Sequence, residues 1–115
     1  MESKAVLRNV RLSPRKTRLV ADLVRGMDVP EAIEALAFTR KGSASIVKKL
    51  IESAVANAEH EAKRANADLD VDDLYVQTIY VDAGPALRRF RPRAQGRATK
   101  ILKKTANIFV VLGTR

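Results

Sequence analysis

The chain of 115 residues has no cysteine and only one histidine. Without cysteine it can form no disulfide bond, no thiolate metal site and no cysteine nucleophile. Its longest apolar runs, such as IFVVL at 108–112, are far too short to span a bilayer, and the first residues, MESK, lack the apolar segment of a signal peptide. We therefore expect a soluble, cytoplasmic protein with no membrane contact, no metal and no cofactor.

Acidic residues are absent from the last third of the chain. All 13 Asp and Glu residues lie at or before Asp82, and residues 1–82 also contain 13 Lys and Arg, so this part has no net charge. Residues 83–115 contain the remaining nine Lys and Arg, which account for the whole formal charge of +9. Positive charge concentrated in one segment is typical of polyanion binders, and nucleic acid is the leading candidate.

Length and composition predict one domain over residues 1–115, because 46% hydrophobic residues suffice for one modest core. Strands are predicted at 4–12, 74–81 and 108–112, which are rich in β-branched, apolar and aromatic residues. Two of these strands flank the basic segment 83–104. The order of strand, three helices and β-hairpin predicts the α+β class: three helices packed on a small antiparallel sheet, with a long protruding hairpin.

The first helix is predicted to begin at Ser13-Pro14, where the Ser side chain can accept a hydrogen bond from a helix N–H, and to end at Gly26. Its periodicity predicts a buried face formed by Leu19, Val20, Leu23 and Val24.

The second helix is predicted to begin at 28–31, where Pro and Glu suit a helix N-terminus. Its expected inward residues are Ile33, Leu36 and Ala37. The third begins near Ser43 and has the longest apolar periodicity in the chain. Its predicted buried stripe consists of Ile46, Val47, Leu50, Ile51, Ala54, Val55 and Ala58.

The segment 83–104 is longer than the roughly 12 to 15 residues beyond which structureless loops become uncommon in compact domains. It must be functional, disordered or ordered by something outside the chain. Two extended arms of about 11 residues each would carry its tip on the order of 35 Å from the domain. Arginine outnumbers lysine in it, and guanidinium groups form paired hydrogen bonds with phosphate and stack on bases. Its charged residues, all predicted RNA contacts, are Arg88, Arg89, Arg91, Arg93, Arg97, Lys100, Lys103 and Lys104.

A second basic group precedes and covers the outer face of the first helix. A run of charge is also compatible with a plain solvated surface, particularly on an exposed helix face. For the hairpin, the complete absence of Asp and Glu favours function over solubility alone. The predicted RNA contacts outside the hairpin are Arg8, Arg11, Ser13, Arg15, Lys16, Arg18 and Arg25.

Three motifs in order, SPRKTRLVADLVRG (13–26), ESAVANAEH (52–60) and GPALRRFRPRAQGRATKILKKT (84–105), resemble the universal family of large-subunit ribosomal protein twenty-two, of bacterial type. The resemblance covers nearly the whole chain. It implies a structural constituent of the large ribosomal subunit that binds 23S ribosomal RNA, aids assembly and lines the nascent-peptide exit tunnel with its hairpin. The tip at the tunnel would be Arg91, Pro92, Arg93, Ala94, Gln95, Gly96 and Arg97.

The resemblance also implies partners beyond RNA: large-subunit protein four near the tunnel constriction, and the nascent peptide. Ser13, Arg15, Lys16 and Arg18 match positions expected to touch RNA from the globular part. Residues 62–68 (AKRANAD) depart from the family pattern and receive no role.

Two other classes of function are weighed against RNA binding. An enzyme is disfavoured because the single His60 lies between Glu59 and Glu61, which point around a helix and form no clustered site with it, and no glycine-rich phosphate loop is present. A dimeric DNA binder with basic β-arms would need an apolar dimer interface, and no helix is expected to have a spare apolar face. We therefore expect no homo-oligomer.

Overall fold

The computed structural model describes residues 2–40, 42–85, 87–92 and 98–114, with 87–92 and 98–103 described by their backbone alone. The α+β class with three helices, a small antiparallel sheet and a hairpin is confirmed. The elements, in chain order, are strand β1 (Glu2–Val10), helices α1 (Pro14–Val24), α2 (Val29–Ala37) and α3 (Gly42–Arg64), a single 3-10 turn (Val71–Asp73), and strands β2 (Leu74–Ala83), β3 (Leu87–Pro92), β4 (Ala98–Lys103) and β5 (Ala106–Thr114).

The main sheet has three antiparallel strands in the order β1, β5, β2, with β5 in the centre. Side chains of a strand alternate between its two faces, and here one face is buried while the other is exposed or half-buried. The buried side chains of β5 are Ala106, Ile108, Val110 and Leu112. The alternation explains why all three helices pack against the same face, which carries the core.

Helix α3 packs on β1 and β5 and also contacts α1 and α2, while α1 and α2 contact β2. Its predicted stripe is confirmed in its centre, where Val47, Leu50, Ile51, Ala54 and Ala58 are buried. Ile46 and Val55 lie at the margins of the core, half-buried against it. The hydroxyl of Ser3 in β1 donates a 2.7 Å hydrogen bond to the carbonyl oxygen of Ala54, which fixes the helix against the strand.

The buried face predicted for α1 is half wrong. Val20 and Val24 are buried, but Leu19 and Leu23 are 55% and 45% exposed. The face that packs inward contains Thr17 and Ala21 instead. Thr17 tolerates burial because its hydroxyl donates to the Ser13 carbonyl oxygen at 2.8 Å. The expectation that no helix has a spare apolar face is therefore also wrong.

The ends of α1 lie close to where the sequence predicts them. Ser13 precedes the helix, but its side chain makes no capping hydrogen bond; its carbonyl oxygen instead accepts from both the N–H and the hydroxyl of Thr17. Gly26 ends the helix with φ of +83°, a conformation that costs glycine little. Its N–H donates to the carbonyl oxygen of Val76 at 2.9 Å, which joins the end of α1 to β2.

Helix α2 begins as predicted, with Pro30 in its first turn. Its inward line runs through Val29, Ala32 and Leu36 at three- and four-residue steps. Ile33 is half-buried at the side of this line, whereas Ala37, predicted to face inward, is exposed at the helix end.

Candidate nucleic-acid interface

The basic hairpin continues the main sheet through a short junction. The last pair of the β2 and β5 ladder is Ala83 with Ala106, and beyond it the Gly84 N–H donates to the Thr105 carbonyl oxygen at 2.9 Å. The hydroxyl of Thr105, which is 4% exposed, donates to the Pro85 carbonyl oxygen at 2.6 Å. The two arms are therefore joined by hydrogen bonds where they leave the domain.

Past the junction the arms form a second antiparallel ladder, β3 with β4. Its register runs from Leu87 opposite Lys103 to Pro92 opposite Ala98. This ladder confirms the predicted extended arms, and the protein is elongated, measuring 67 × 28 × 16 Å. Five of the predicted RNA contacts lie on these two strands: Arg88, Arg89, Arg91, Lys100 and Lys103.

Lys104 is exposed at the junction. The predicted contacts Arg93 and Arg97, with the tip residues Ala94, Gln95 and Gly96 between them, lie outside the described residues.

The second basic group lies at the end of the sheet from which the hairpin leaves. Val10, the last residue of β1, is opposite Ala106, the first of β5, and the chain then enters α1. Five predicted contacts there are exposed, and Ser13 is half-buried. The exposed ones are Arg8, Arg11, Arg15, Lys16 and Arg18.

A β-bulge in β1 determines the position of Arg8, the first of these residues. Asn9 has a left-handed φ of +57°, and the register of β1 against β5 shifts between Leu7 and Val10. The Asn9 N–H, which the bulge removes from the regular ladder, donates to the side-chain Oδ1 of Asn107 at 2.8 Å. Asn107 thereby fixes the strand just after Arg8 and before Arg11.

Two of the predicted contacts, Arg18 and Arg25, also bind the protein's own backbone. The Arg18 Nε donates to the Val81 carbonyl oxygen at 3.0 Å, and the Arg25 Nη2 donates to the Ile79 carbonyl oxygen at 2.7 Å. Strand β2 is an edge strand, so these carbonyls point away from β5 and need partners. Arg25 also forms a 2.6 Å ion pair with Asp22, which reduces its value as a phosphate ligand.

Helix α3 adds cations that sequence reasoning missed. Lys49 is exposed and lines a surface groove with Val6 and Val10 of β1, so it lies beside the basic group; Lys48 precedes it and is half-buried. Their signal was present as adjacent lysines in the second turn of the helix. The apolar periodicity of this segment predicts its buried stripe but not which exposed lysines lie beside β1.

Negative charge collects at the opposite end of the sheet. Glu2 pairs with Gly113 near the end of β5 and lines a shallow pocket together with Glu61, Lys4 and Arg64. The turn before β2 contains Asp72 and Asp73, and β2 begins opposite Thr114. A domain without net charge is thus polarised, with its basic end at the base of the hairpin.

The single histidine belongs to no candidate metal site in the part of the chain that the structure describes. His60 is exposed on α3, and no group of three or more His, Asp or Glu side chains in the described ranges is placed to hold a metal ion. No helix within these ranges is long and apolar enough to cross a membrane.

A small α+β domain whose basic end continues into a basic hairpin has the charge distribution that is typical of nucleic-acid-binding proteins. Residues 5–113 match the family described as ribosomal protein L22p/L17e. The large ribosomal subunit protein uL22 of Bdellovibrio bacteriovorus is 59% identical over 112 residues, which cover 97% of this chain and 97% of that protein. The chain belongs to the ribosomal protein L22p/L17e family, as the sequence motifs indicated.

Proposed function

We propose that this protein is a structural, non-catalytic constituent of the large ribosomal subunit in the cytoplasm, where it binds 23S ribosomal RNA. The observation that carries the proposal is the continuity between the basic end of the domain and the hairpin, which together form one extended cationic surface. The identity of 59% with a large-subunit uL22 protein supports the assignment to that subunit.

The hairpin is proposed to hold RNA helices together. Phosphates of neighbouring RNA helices repel one another, and a narrow ribbon with arginine and lysine on both strands can neutralise two of them at once. Guanidinium groups add paired hydrogen bonds to phosphate oxygens. Binding of this kind would aid assembly, because RNA segments distant in sequence become joined through one protein.

The tip, residues 91–97, is proposed to line the exit tunnel, near large-subunit protein four and in contact with the nascent peptide. The length of the arms supports this role, since the ladder of β3 and β4 continues beyond the junction as far as Pro92 opposite Ala98. The protein is further proposed to act as a single copy, with its exposed Leu19 and Leu23 turned to a neighbour other than itself.

A cryo-EM map of the large subunit that contains this protein tests these proposals together. We expect the α+β domain at the subunit surface, the two arms between RNA helices, and residues 91–97 at the tunnel wall. A map in which the hairpin lies on the solvent side, with RNA contacting only the domain, would contradict the tunnel and assembly roles.

A further inference from the structure

The face of the main sheet opposite the helices carries an aromatic stack. Val6, Phe109 and Tyr80 lie side by side in one row across β1, β5 and β2. The rings of Tyr80 and Phe109 are stacked, with centroids 4.7 Å apart and planes inclined by 16°. The guanidinium carbon of Arg8 lies 5.6 Å from the centroid of the Phe109 ring, within the range of a cation–π contact.

This stack is open at one end. The 4.7 Å distance between the two ring centroids matches the spacing of neighbouring strands. The rings are therefore stacked in the direction that runs from β5 to β2. One face of the Tyr80 ring lies against Phe109, and the other therefore points toward the free edge of β2. Tyr80 is 45% exposed, and no helix in the described part of the chain covers this face of the sheet.

Positive charge is held at that same edge. Arg18 and Arg25 bind the carbonyl oxygens of Val81 and Ile79, the residues on either side of Tyr80. Arg25 is partly neutralised by Asp22, and Asp82 lies exposed one residue beyond Val81. Arg18 has no ion pair among the described residues and is the cation best placed to accept an anion near the ring.

We propose that an unpaired nucleotide of RNA stacks its base on the open face of Tyr80 and places its phosphate against Arg18. Every base has an aromatic face that can extend such a stack, and the adjacent arginine supplies the charge that a phosphate requires. This inference rests on the proposed function and adds a second kind of contact to it: the hairpin binds the RNA backbone, whereas Tyr80 requires a base free of pairing.

An RNA ligand fits this surface better than a protein does. The exposed apolar side chains in the row are only Val6 and Tyr80, a small patch compared with the core of a stable protein interface. The interior of a duplex also fits poorly, because its bases are stacked on one another and only the two terminal pairs present an open face.

Fluorine NMR on the full chain labelled with 3-fluorotyrosine tests the proposal, since Tyr75 and Tyr80 are the only tyrosines. The probe is single-stranded hexa-adenylate RNA, with a long RNA duplex, whose two ends are a small part of its length, for comparison. The Tyr80 resonance, assigned with Tyr80→Phe, should shift with the single strand and not with the duplex, while the Tyr75 resonance should stay in place. A Tyr80 resonance that stays fixed while the hexamer binds would overturn the proposal.

Affinity for the hexamer provides the second readout. Tyr80→Leu should weaken binding by about 5- to 100-fold relative to Tyr80→Phe, which keeps the ring. Phe38→Leu is the matched control, because Phe38 is an aromatic 79% exposed at the end of α2, which packs on the opposite face of the sheet from Tyr80, and its loss should leave the affinity unchanged.

The failure of this inference is distinguishable from that of the proposed function. If Tyr80→Leu and Tyr80→Phe bind the hexamer with equal affinity, Tyr80 makes no base contact. If binding to 23S RNA still depends steeply on salt through the hairpin, the proposed function stands. Cross-linking of Tyr80 to a protein rather than to RNA in assembled subunits would identify a protein-docking surface instead and would also overturn the proposal.

Discussion

The hydroxyl of Thr105 donates a 2.6 Å hydrogen bond to the carbonyl oxygen of Pro85, across the point where the hairpin leaves the sheet. Gly84 makes this contact possible. A Cβ atom at Gly84 would lie 2.5 Å from the Thr105 Oγ1, and the β-branched Thr105 side chain has little freedom to move away. The junction therefore depends on a missing side chain on one arm and a hydroxyl on the other.

Gly84→Ala is expected to displace the Thr105 hydroxyl and lower the free energy of unfolding by about 1 to 2 kcal/mol. Urea denaturation measures the change. Gly42→Ala is the matched control, because a Cβ there meets no atom within 4 Å; it should leave the free energy of unfolding unchanged or raise it by up to about 1 kcal/mol, since alanine restricts the unfolded chain. In a Thr105→Ala background, Gly84→Ala should cost almost nothing; an undiminished cost there would show that the hydroxyl is not the obstacle.

Arg18 is expected to affect both stability and RNA binding, in contrast to Arg15, which is exposed three residues earlier on α1. Arg18→Gln removes the hydrogen bond to Val81 and should lower the free energy of unfolding by about 1 kcal/mol, whereas Arg15→Gln should change it by less than about 0.5 kcal/mol. Both changes should lower affinity for 23S RNA. Equal stability of the two variants would show that the Val81 contact contributes nothing.

The lysines on α3 are expected to contribute to RNA binding as part of the basic end. Replacing Lys48 and Lys49 by Gln should reduce the slope of log affinity against log salt by up to roughly 1.4 to 1.8, provided that each lysine neutralises one phosphate. Replacing Lys63 and Arg64, in the last turn of the same helix, removes equal charge and should leave the slope nearly unchanged. Equal effects of both pairs would mean that net charge alone governs binding.

Much of the fold was predictable because each element has a local signal. The β-branched and aromatic residues of 108–112 predict a strand, and the long apolar periodicity of α3 predicts a helix, whatever partner each element packs against. The absence of acidic residues after Asp82 likewise distinguishes the basic segment from the rest of the chain. Each of these predictions depends only on residues that are close to one another in the sequence.

The errors concern relationships between distant residues. Leu19 and Leu23 continue the apolar periodicity of α1, but the helix packs through Thr17 and Ala21 because it lies over β2 and α3. In the sequence, Arg18 and Arg25 fit an ordinary solvated helix face. Their hydrogen bonds to β2 follow only from the position of β2 at the edge of the sheet, where its outer carbonyls lack a strand partner. The Tyr80 and Phe109 stack joins two residues 29 positions apart in the chain, and only the register of β2 against β5 brings them together.

The central claim is that the hairpin is the main RNA contact of this protein. The most direct test compares the salt dependence of 23S RNA binding for the full chain and for a variant lacking residues 88–97, which contain five arginines. If each arginine neutralises one phosphate, the slope of log affinity against log salt should fall by roughly 3.5 to 4.5, while the far-ultraviolet spectrum shows that the domain remains folded. An unchanged slope in a folded variant would contradict the claim.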